Sequence, residues 1–303
     1  MKNLFLAFLA LSGMAVTAAV GTFGLAYNYT ENRLEKQWEA PTPRVEVSTD
    51  AEVIERGRHL TQHVLLCAQC HGEDLGGLNP YIDATGVVLV NSPNITRGQG
   101  SVVLEYTPDD FARTIRYGVR PDGTAAAVMP VQNFTGISDD DLGAVVSYLQ
   151  TVKPVDRTNP KSVFKPMGRM LWYFGVFDLQ FTALLDLESP RPSETPTDEK
   201  GHGEYLFNLA GCQDCHGETA SGGAMPGAPS DMAIPKNLTP HESGLAGWTR
   251  DDFDRAVRAG MSKDGTQIDK LMPWNKFAGM SPAEVDALWA HVKKLEPKAF
   301  GNR

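Results

Sequence analysis

Two strings in this chain bring reactive residue types together at one fixed spacing: Cys67-Ala-Gln-Cys70-His71 and Cys212-Gln-Asp-Cys215-His216. Two thiols three residues apart reach across one edge of a porphyrin and become thioethers to its vinyl groups. The adjacent imidazole supplies an axial nitrogen, so the spacing is that of c-type haem attachment. The strings use all four cysteines of the chain, which leaves no thiol for a disulfide framework. Two strings at matching places argue against zinc and against a thioredoxin-type pair. The expected cofactors are two covalently bound haem c groups, held by Cys67 and Cys70 and by Cys212 and Cys215, with His71 and His216 as metal ligands.

Opposite ligands are suggested by two methionines. Met129 lies 58 residues after His71 and Met272 lies 56 after His216, each followed by proline and preceded by a loop containing Asp and Gly. A thioether on such a loop suits a low-spin iron, and His/Met ligation gives a higher potential than His/His. Met167, Met170, Met225, Met232, Met261 and Met280 have no repeat counterpart that is also Met, so they read as packing. His59, His63, His202, His241 and His291 are not expected as resting ligands. His63, four residues before Cys67, reads as solvent-facing, and His291 falls where Tyr148 falls, in an aromatic slot. The carbonyls expected to hold the proximal imidazoles are those of Pro80 and of Pro226 or Pro229.

These residues sit in an internal repeat, from about Ala51 to Pro154 and again from about Glu199 to Pro297. The haem strings correspond at an offset of 145, Asn94-Ile-Thr and Asn237-Leu-Thr at 143, Asp109-Asp-Phe and Asp251-Asp-Phe at 142, and Met129-Pro and Met272-Pro at 143. So small a drift over a hundred residues describes two related domains with minor loop changes.

The elements that must position the sites read as short helices around loops. Thr107 and Thr249 cap helices that carry acids in the first turn and end at Gly118 and Gly260. Ser138 and Ser281, each with a carboxylate three residues on, open the last helix of each half as capping boxes. Gly57 and Gly203 read as close contacts with those last helices, near Tyr148 and Trp289. The expected organisation is an N-terminal signal or anchor helix over 1–30, a first domain over 51–155, a connection over 156–198, and a second domain over 199–299. The Pro- and Ser-rich part of the connection from Glu188 cannot be helical. Its apolar stretch from Met170 to Leu185 reads as a helix packed across the two domains.

At 303 residues, with 42% apolar and 21% charged side chains, the chain can hold two ordinary domains. A net charge of -9 argues against nucleic acid as a partner. Lys2 is followed by a run without charge from Leu4 to Tyr27, 24 residues, long enough to span a bilayer. A cleaved signal peptide competes, since Val16-Thr-Ala and Thr17-Ala-Ala resemble cleavage sites. The uncleaved reading puts the N-terminus inside, the body in the periplasm, and Tyr27 and Tyr29 in the interfacial belt.

With these motifs placed, the chain resembles tandem class I cytochrome c domains. More narrowly, it resembles the cytochrome c subunits of membrane-bound alcohol, aldehyde and gluconate dehydrogenases. The residues that carry the likeness are the two haem strings, Ser92-Pro-Asn-Ile-Thr with Asn237-Leu-Thr-Pro, the Asp-Asp-Phe helices, the two Met-Pro pairs and the closing helices from Leu142 and Val285. The resemblance implies an all-α fold of two such domains after an N-terminal membrane helix, in a protein that carries electrons and performs no substrate chemistry. It also implies redox protein partners, a dehydrogenase subunit on one side and a respiratory oxidase or quinone-linked complex on the other. Those subunits carry three haem domains where this chain has two.

Overall fold

The computed structural model describes the backbone of residues 2–303 and the side chains of 12–198 and 201–303. A long helix, α1 (Lys2–Glu35), leads into the first half: α2 (Ala51–His59), α3 (Cys67–His71), β1 (Ile82–Ala84), β2 (Val88–Val90), α4 (Pro108–Tyr117), α5 (Val131–Phe134) and α6 (Asp139–Thr151). Next come β3 (Val163–Phe164) and α7 (Pro166–Tyr173). The second half repeats the helices as α8 (Glu199–Leu209), α9 (Cys212–His216), α10 (Arg250–Ala259), α11 (Trp274–Phe277) and α12 (Pro282–Val292).

The fold is helix-rich but not all-α. A three-stranded antiparallel sheet, ordered β1-β2-β3, pairs Ile82 with Val90 and Val88 with Phe164. Strands of two or three residues are too short to show a period of two in sequence, so the helical pattern hid them.

Helix ends follow the expected grammar. Thr107 and Asp110 cap each other's backbone, as do Thr249 and Asp252, and both helices close on a left-handed glycine. Ser281 and Glu284 form the same box, but Asp141 does not close one on Ser138. Its carboxylate turns instead to Arg56 and Tyr205.

Each half is built on a crossing of its first and last helices, α2 on α6 and α8 on α12. A Cβ on Gly57 would lie 1.9 Å from the Ala144 carbonyl oxygen, and one on Gly203 would lie 2.1 Å from that of Ala287. Only a residue without a side chain lets the backbones touch there. Leu60, Val64, Leu142 and Val145 fill the first crossing, and Leu206, Leu209, Val285 and Leu288 the second. Truncating one such side chain to alanine costs about 2–5 kcal/mol. From Gly57 to Cys67 the chain is one residue longer than from Gly203 to Cys212. The extra residue is absorbed as a π-helical turn over Leu60–Val64, with the Leu65 N–H donating to the Leu60 carbonyl at 2.8 Å.

The chain between the repeats is mostly packed. The Asn91 N–H donates to Ser162 Oγ at 3.0 Å, and Asn159 Nδ2 donates to the Gly76 carbonyl at 2.7 Å. Trp172 of α7 is buried against Phe164, with ring centroids 5.1 Å apart. Arg169 ties α7 to α1, pairing with Glu31 at 2.5 Å and lying 4.2 Å over the Tyr27 ring. The apolar segment from Met170 therefore covers the first half and α1 rather than bridging the halves. The stretch from Glu188 is not helical; its Pro192 and Ser193 carbonyls accept the Asp139 and Asp140 N–H groups that open α6.

The expected membrane span falls partly on residues 2–11, whose side chains lie outside the described residues. Among the described residues, no helix is long and apolar enough to cross a membrane. Ser12, Gly13, Thr17, Gly21, Thr22 and Gly24 dilute the hydropathy of α1 beyond that point.

The two halves meet reciprocally. His59 Nε2 of the first lies 2.8 Å from Glu284 Oε2 of the second, and Tyr205 Oη of the second donates to Asp141 Oδ2 of the first at 2.8 Å. Asn133 of α5 donates to Asp214 in the second haem string at 2.6 Å, while Lys276 of α11 pairs with Glu73, just past the first. Each methionine loop thus leads into a helix that rests against the other half's haem string. His63 is half-buried at this seam, its Nδ1 2.8 Å from the Lys276 carbonyl, rather than facing solvent.

Candidate functional site

Both haem strings begin at a left-handed residue, Leu66 at φ 54° and Gly211 at φ 66°. That turn breaks the preceding helix and starts a fresh one, which puts the two cysteines and the histidine on one short helical stretch. Leucine in this conformation costs about 1 kcal/mol, offset in part by its packing against the core. All four cysteines are free thiols.

His71 Nδ1 is 2.8 Å from the Pro93 carbonyl oxygen, and His216 Nδ1 is 2.6 Å from that of Lys236. A carbonyl only accepts, so Nδ1 carries the proton in both rings and Nε2 presents its lone pair to a metal. Burial pushes both imidazoles below the usual histidine value in spite of that bond, which keeps them neutral.

These carbonyls are not the expected ones of Pro80, Pro226 or Pro229. They belong to the residues just before Asn94 and Asn237. Asn94 Oδ1 accepts from the Thr96 N–H at 2.9 Å, and its Nδ2 donates to the Val155 carbonyl at 2.6 Å. Asn237 makes the same pair with the Thr239 N–H at 2.8 Å and the Lys298 carbonyl at 2.7 Å. The repeated Asn-x-Thr pattern is thus the device that locks the carbonyl against the ring. It was visible in the sequence, as a repeat without an assigned role.

Met129 and Met272 sit in matching turns. The Met129 N–H points to the Ala126 carbonyl at 3.3 Å and the Met272 N–H to that of Asp269 at 3.2 Å. One cavity of about 1820 Å³ is lined by Cys67, Cys70, His71 and Met129 and also by Cys212, Cys215, His216 and Met272. All eight residues singled out by spacing therefore line a single space, and the two clefts open into each other. Its walls are largely apolar, including Leu65, Phe111, Phe134 and Leu149 on one side and Trp248, Phe253, Phe277 and Leu288 on the other.

The donor set fits two haems. Free thiols, neutral imidazoles with fixed tautomers and thioethers line a large apolar space. Among the described residues no group of three or more His, Cys, Asp or Glu side chains is gathered to hold a bare metal ion. The other five histidines do not line the cavity. His59 and His63 lie at the seam, His202 Nδ1 is 3.0 Å from the Pro196 carbonyl, His241 Nδ1 is 2.9 Å from Ser243 Oγ, and the His291 ring lies 4.9 Å from that of Phe207.

Comparisons with known proteins bear on both halves. Residues 52–149 match the family model described as cytochrome C oxidase, cbb3-type, subunit III, and residues 202–296 match the one described as cytochrome c. The cytochrome c subunit of the quinone alcohol dehydrogenase of Gluconobacter oxydans is 30% identical over 232 residues, 70% of this chain and 48% of that one. The fructose dehydrogenase cytochrome subunit of Gluconobacter japonicus is 26% identical over 86% of this chain and 56% of its own. The gluconate 2-dehydrogenase cytochrome c subunit of Pantoea cypripedii is 27% identical over 81% of this chain and 60% of its own. The chain spans about half to three-fifths of the length of these relatives.

Proposed function

Each half of the chain belongs to the cytochrome c family and carries one covalently bound haem c, and from that premise we propose that the protein is a di-haem electron carrier working beside a dehydrogenase. The observation that supports this most is the shared cavity, in which both strings and both Met loops meet. Each haem iron supplies one-electron exchange between its ferric and ferrous states. The chain's own residues do the rest. Cys67 and Cys70, and Cys212 and Cys215, hold the macrocycles as thioethers. His71 and His216, oriented by the Pro93 and Lys236 carbonyls, would each offer Nε2 to an iron, and Met129 and Met272 would each offer a thioether sulfur. With two protein ligands on each iron, no coordination position would remain for a substrate.

The electron donor in this reading is a dehydrogenase subunit, as the names of the relatives suggest, and the acceptor a respiratory oxidase or quinone-linked complex. The haem domains face the periplasm of a bacterial inner membrane, held there by α1. The charge-free run from Leu4 to Tyr27 behind Lys2 supports that placement.

Purification of the tagged chain from membranes, with mass spectrometry of what accompanies it, tests the partner and the anchor together. A dehydrogenase subunit should co-purify, and peptides before Glu31 should be present. Optical spectra test the carrier itself. An oxidised protein without a methionine–iron absorption band that binds cyanide at once would sink the six-coordinate reading.

A further inference from the structure

The repeat supplies an internal control, because each feature of one haem cleft can be compared with its counterpart in the other. Three differences point the same way.

The first is charge. Arg120 lines the first cleft, where its Nη1 donates to Thr124 Oγ1 at 3.1 Å and to the Ala125 carbonyl at 2.8 Å. Its repeat counterpart, at the offset of 142 that relates the two Asp-Gly-Thr loops, is the neutral Ser262. Asp214 replaces Gln69 in the second string, and Asp269 replaces Ala126 as the residue whose carbonyl faces the methionine N–H. The ionised side chains lining the first cleft balance, Arg120, Lys161 and Arg169 against Glu31, Glu35 and Asp122. Those lining the second leave two negative charges in excess, Lys236 against Asp214, Asp264 and Asp269, with Arg303 beside Cys215 and His216 offsetting part of them. Asp214 and Asp269 are exposed, so water screens them and Arg120, half-buried, has the stronger effect.

The second is cover. The first methionine loop lies beneath other chain: the Trp38 N–H donates to the Gly123 carbonyl at 2.9 Å, and the Val128 N–H to the Leu179 carbonyl at 2.7 Å. Ala125 is 3% exposed. In the second loop Gln267, Asp269, Lys270 and Leu271 are all exposed among the described residues. Low-dielectric surroundings disfavour the ferric haem, which carries one more positive charge than the ferrous form.

The third is rigidity. Val128, a β-branched residue, is held at φ 71° directly before Met129 by the bond to Leu179. At the matching position the Leu271 N–H is held only from within its own loop, by Asp269 Oδ1 at 2.8 Å, and its backbone is not left-handed. An over-determined loop holds the thioether in place, and thioether ligation favours the ferrous state.

Resting on the di-haem reading above, we propose that the two haems are ordered in potential, the one at His71 higher than the one at His216, with Arg120 setting the larger part of the gap. Electrons then enter at the exposed second half and pass through the shared cavity to the covered first half.

Potentiometric titration of the full-length holoprotein tests this. The wild type should show two one-electron waves. Arg120→Ser should move only the upper wave down, by about a tenfold change in the ratio of reduced to oxidised haem, or ~59 mV. Arg120→Lys, which keeps the charge, should leave it near its wild-type place even if the loop shifts. Asp214→Asn, which preserves the size of the side chain, should move only the lower wave up. A lower wave that answers to Arg120→Ser, an upper wave that does not, or a single unsplit wave in a chain carrying two haems would overturn the ordering alone. Fewer than two haems per chain by pyridine haemochromogen would instead overturn the reading beneath it.

Discussion

His59 of the first half and Glu284 of the second are joined through Nε2 and Oε2 at 2.8 Å, with Glu284 only 4% exposed. Arg56 braces the same carboxylate at 3.2 Å and Asp141 at 3.0 Å, so one cation serves the acidic third residue of both closing helices. Glu284 caps its helix and joins the halves at once, whereas Asp141 leaves its cap open and gives its carboxylate to Arg56 and Tyr205 across the seam.

Glu284→Gln should therefore weaken the joint between the halves. Removing one partner of a buried ion pair leaves the others uncompensated, at a cost of about 3 kcal/mol. Calorimetry should show the two halves melting farther apart, or over a broader range, than in the wild type. A profile unchanged from the wild type would count against a coupling role.

The same carboxylate predicts a pH dependence. Burial pushes Glu284 up, but the His59 hydrogen bond, the Ser281 N–H and the charges of His59 and Arg56 outweigh it and hold the group at about 2. A carboxylate lowered in the folded state contributes stability that is fully present above its unfolded value of 4.5 and is lost as pH falls toward 2. Thermal midpoints measured across that window should fall with acid in the wild type, and the Glu284→Gln profile should be flatter.

Gly57→Ala and Gly203→Ala should each damage one half. The new methyl group would overlap a backbone carbonyl that no rotamer change can clear, costing about 2–4 kcal/mol. Haem content by pyridine haemochromogen should drop toward one per chain in each variant. Full loading at the wild-type melting temperature would show that the helix crossing yields more easily than the geometry indicates.

Met129→His and Met272→His should each remove about half of the methionine–iron absorption and lower one of the two midpoints, since His/His ligation gives the lower potential. A variant that keeps the full band would show that its methionine does not reach the iron.

Arg169→Ala should loosen α1 from the body, because Arg169 holds Glu31 and covers Tyr27. Limited proteolysis between α1 and α2 should accelerate several-fold with both haem spectra unchanged. An unchanged cleavage rate would mean that Arg33, paired with Asp178, suffices.

The eight residues that line the shared cavity were legible in the sequence, because covalent attachment demands a fixed local spacing and duplication turned two ordinary methionines into a matched pair. Helix caps were legible for the same reason, since Thr107 acts on Asp110 within one turn. The partners of His71 and His216, the small sheet and the packing of 156–198 were not. Each depends on chain brought together from far apart, such as Asn94 meeting Val155, and nothing in local spacing encodes such a meeting. The sequence by itself determined two haem-binding halves and the residue types that serve them. Only the tertiary structure decided that the clefts share one cavity, that a reciprocal seam of buried acids holds them together, and that one is covered while the other is bare. The physical reason is that local chemistry is written in neighbouring residues, whereas burial and charge environment are properties of what the folded chain places around them.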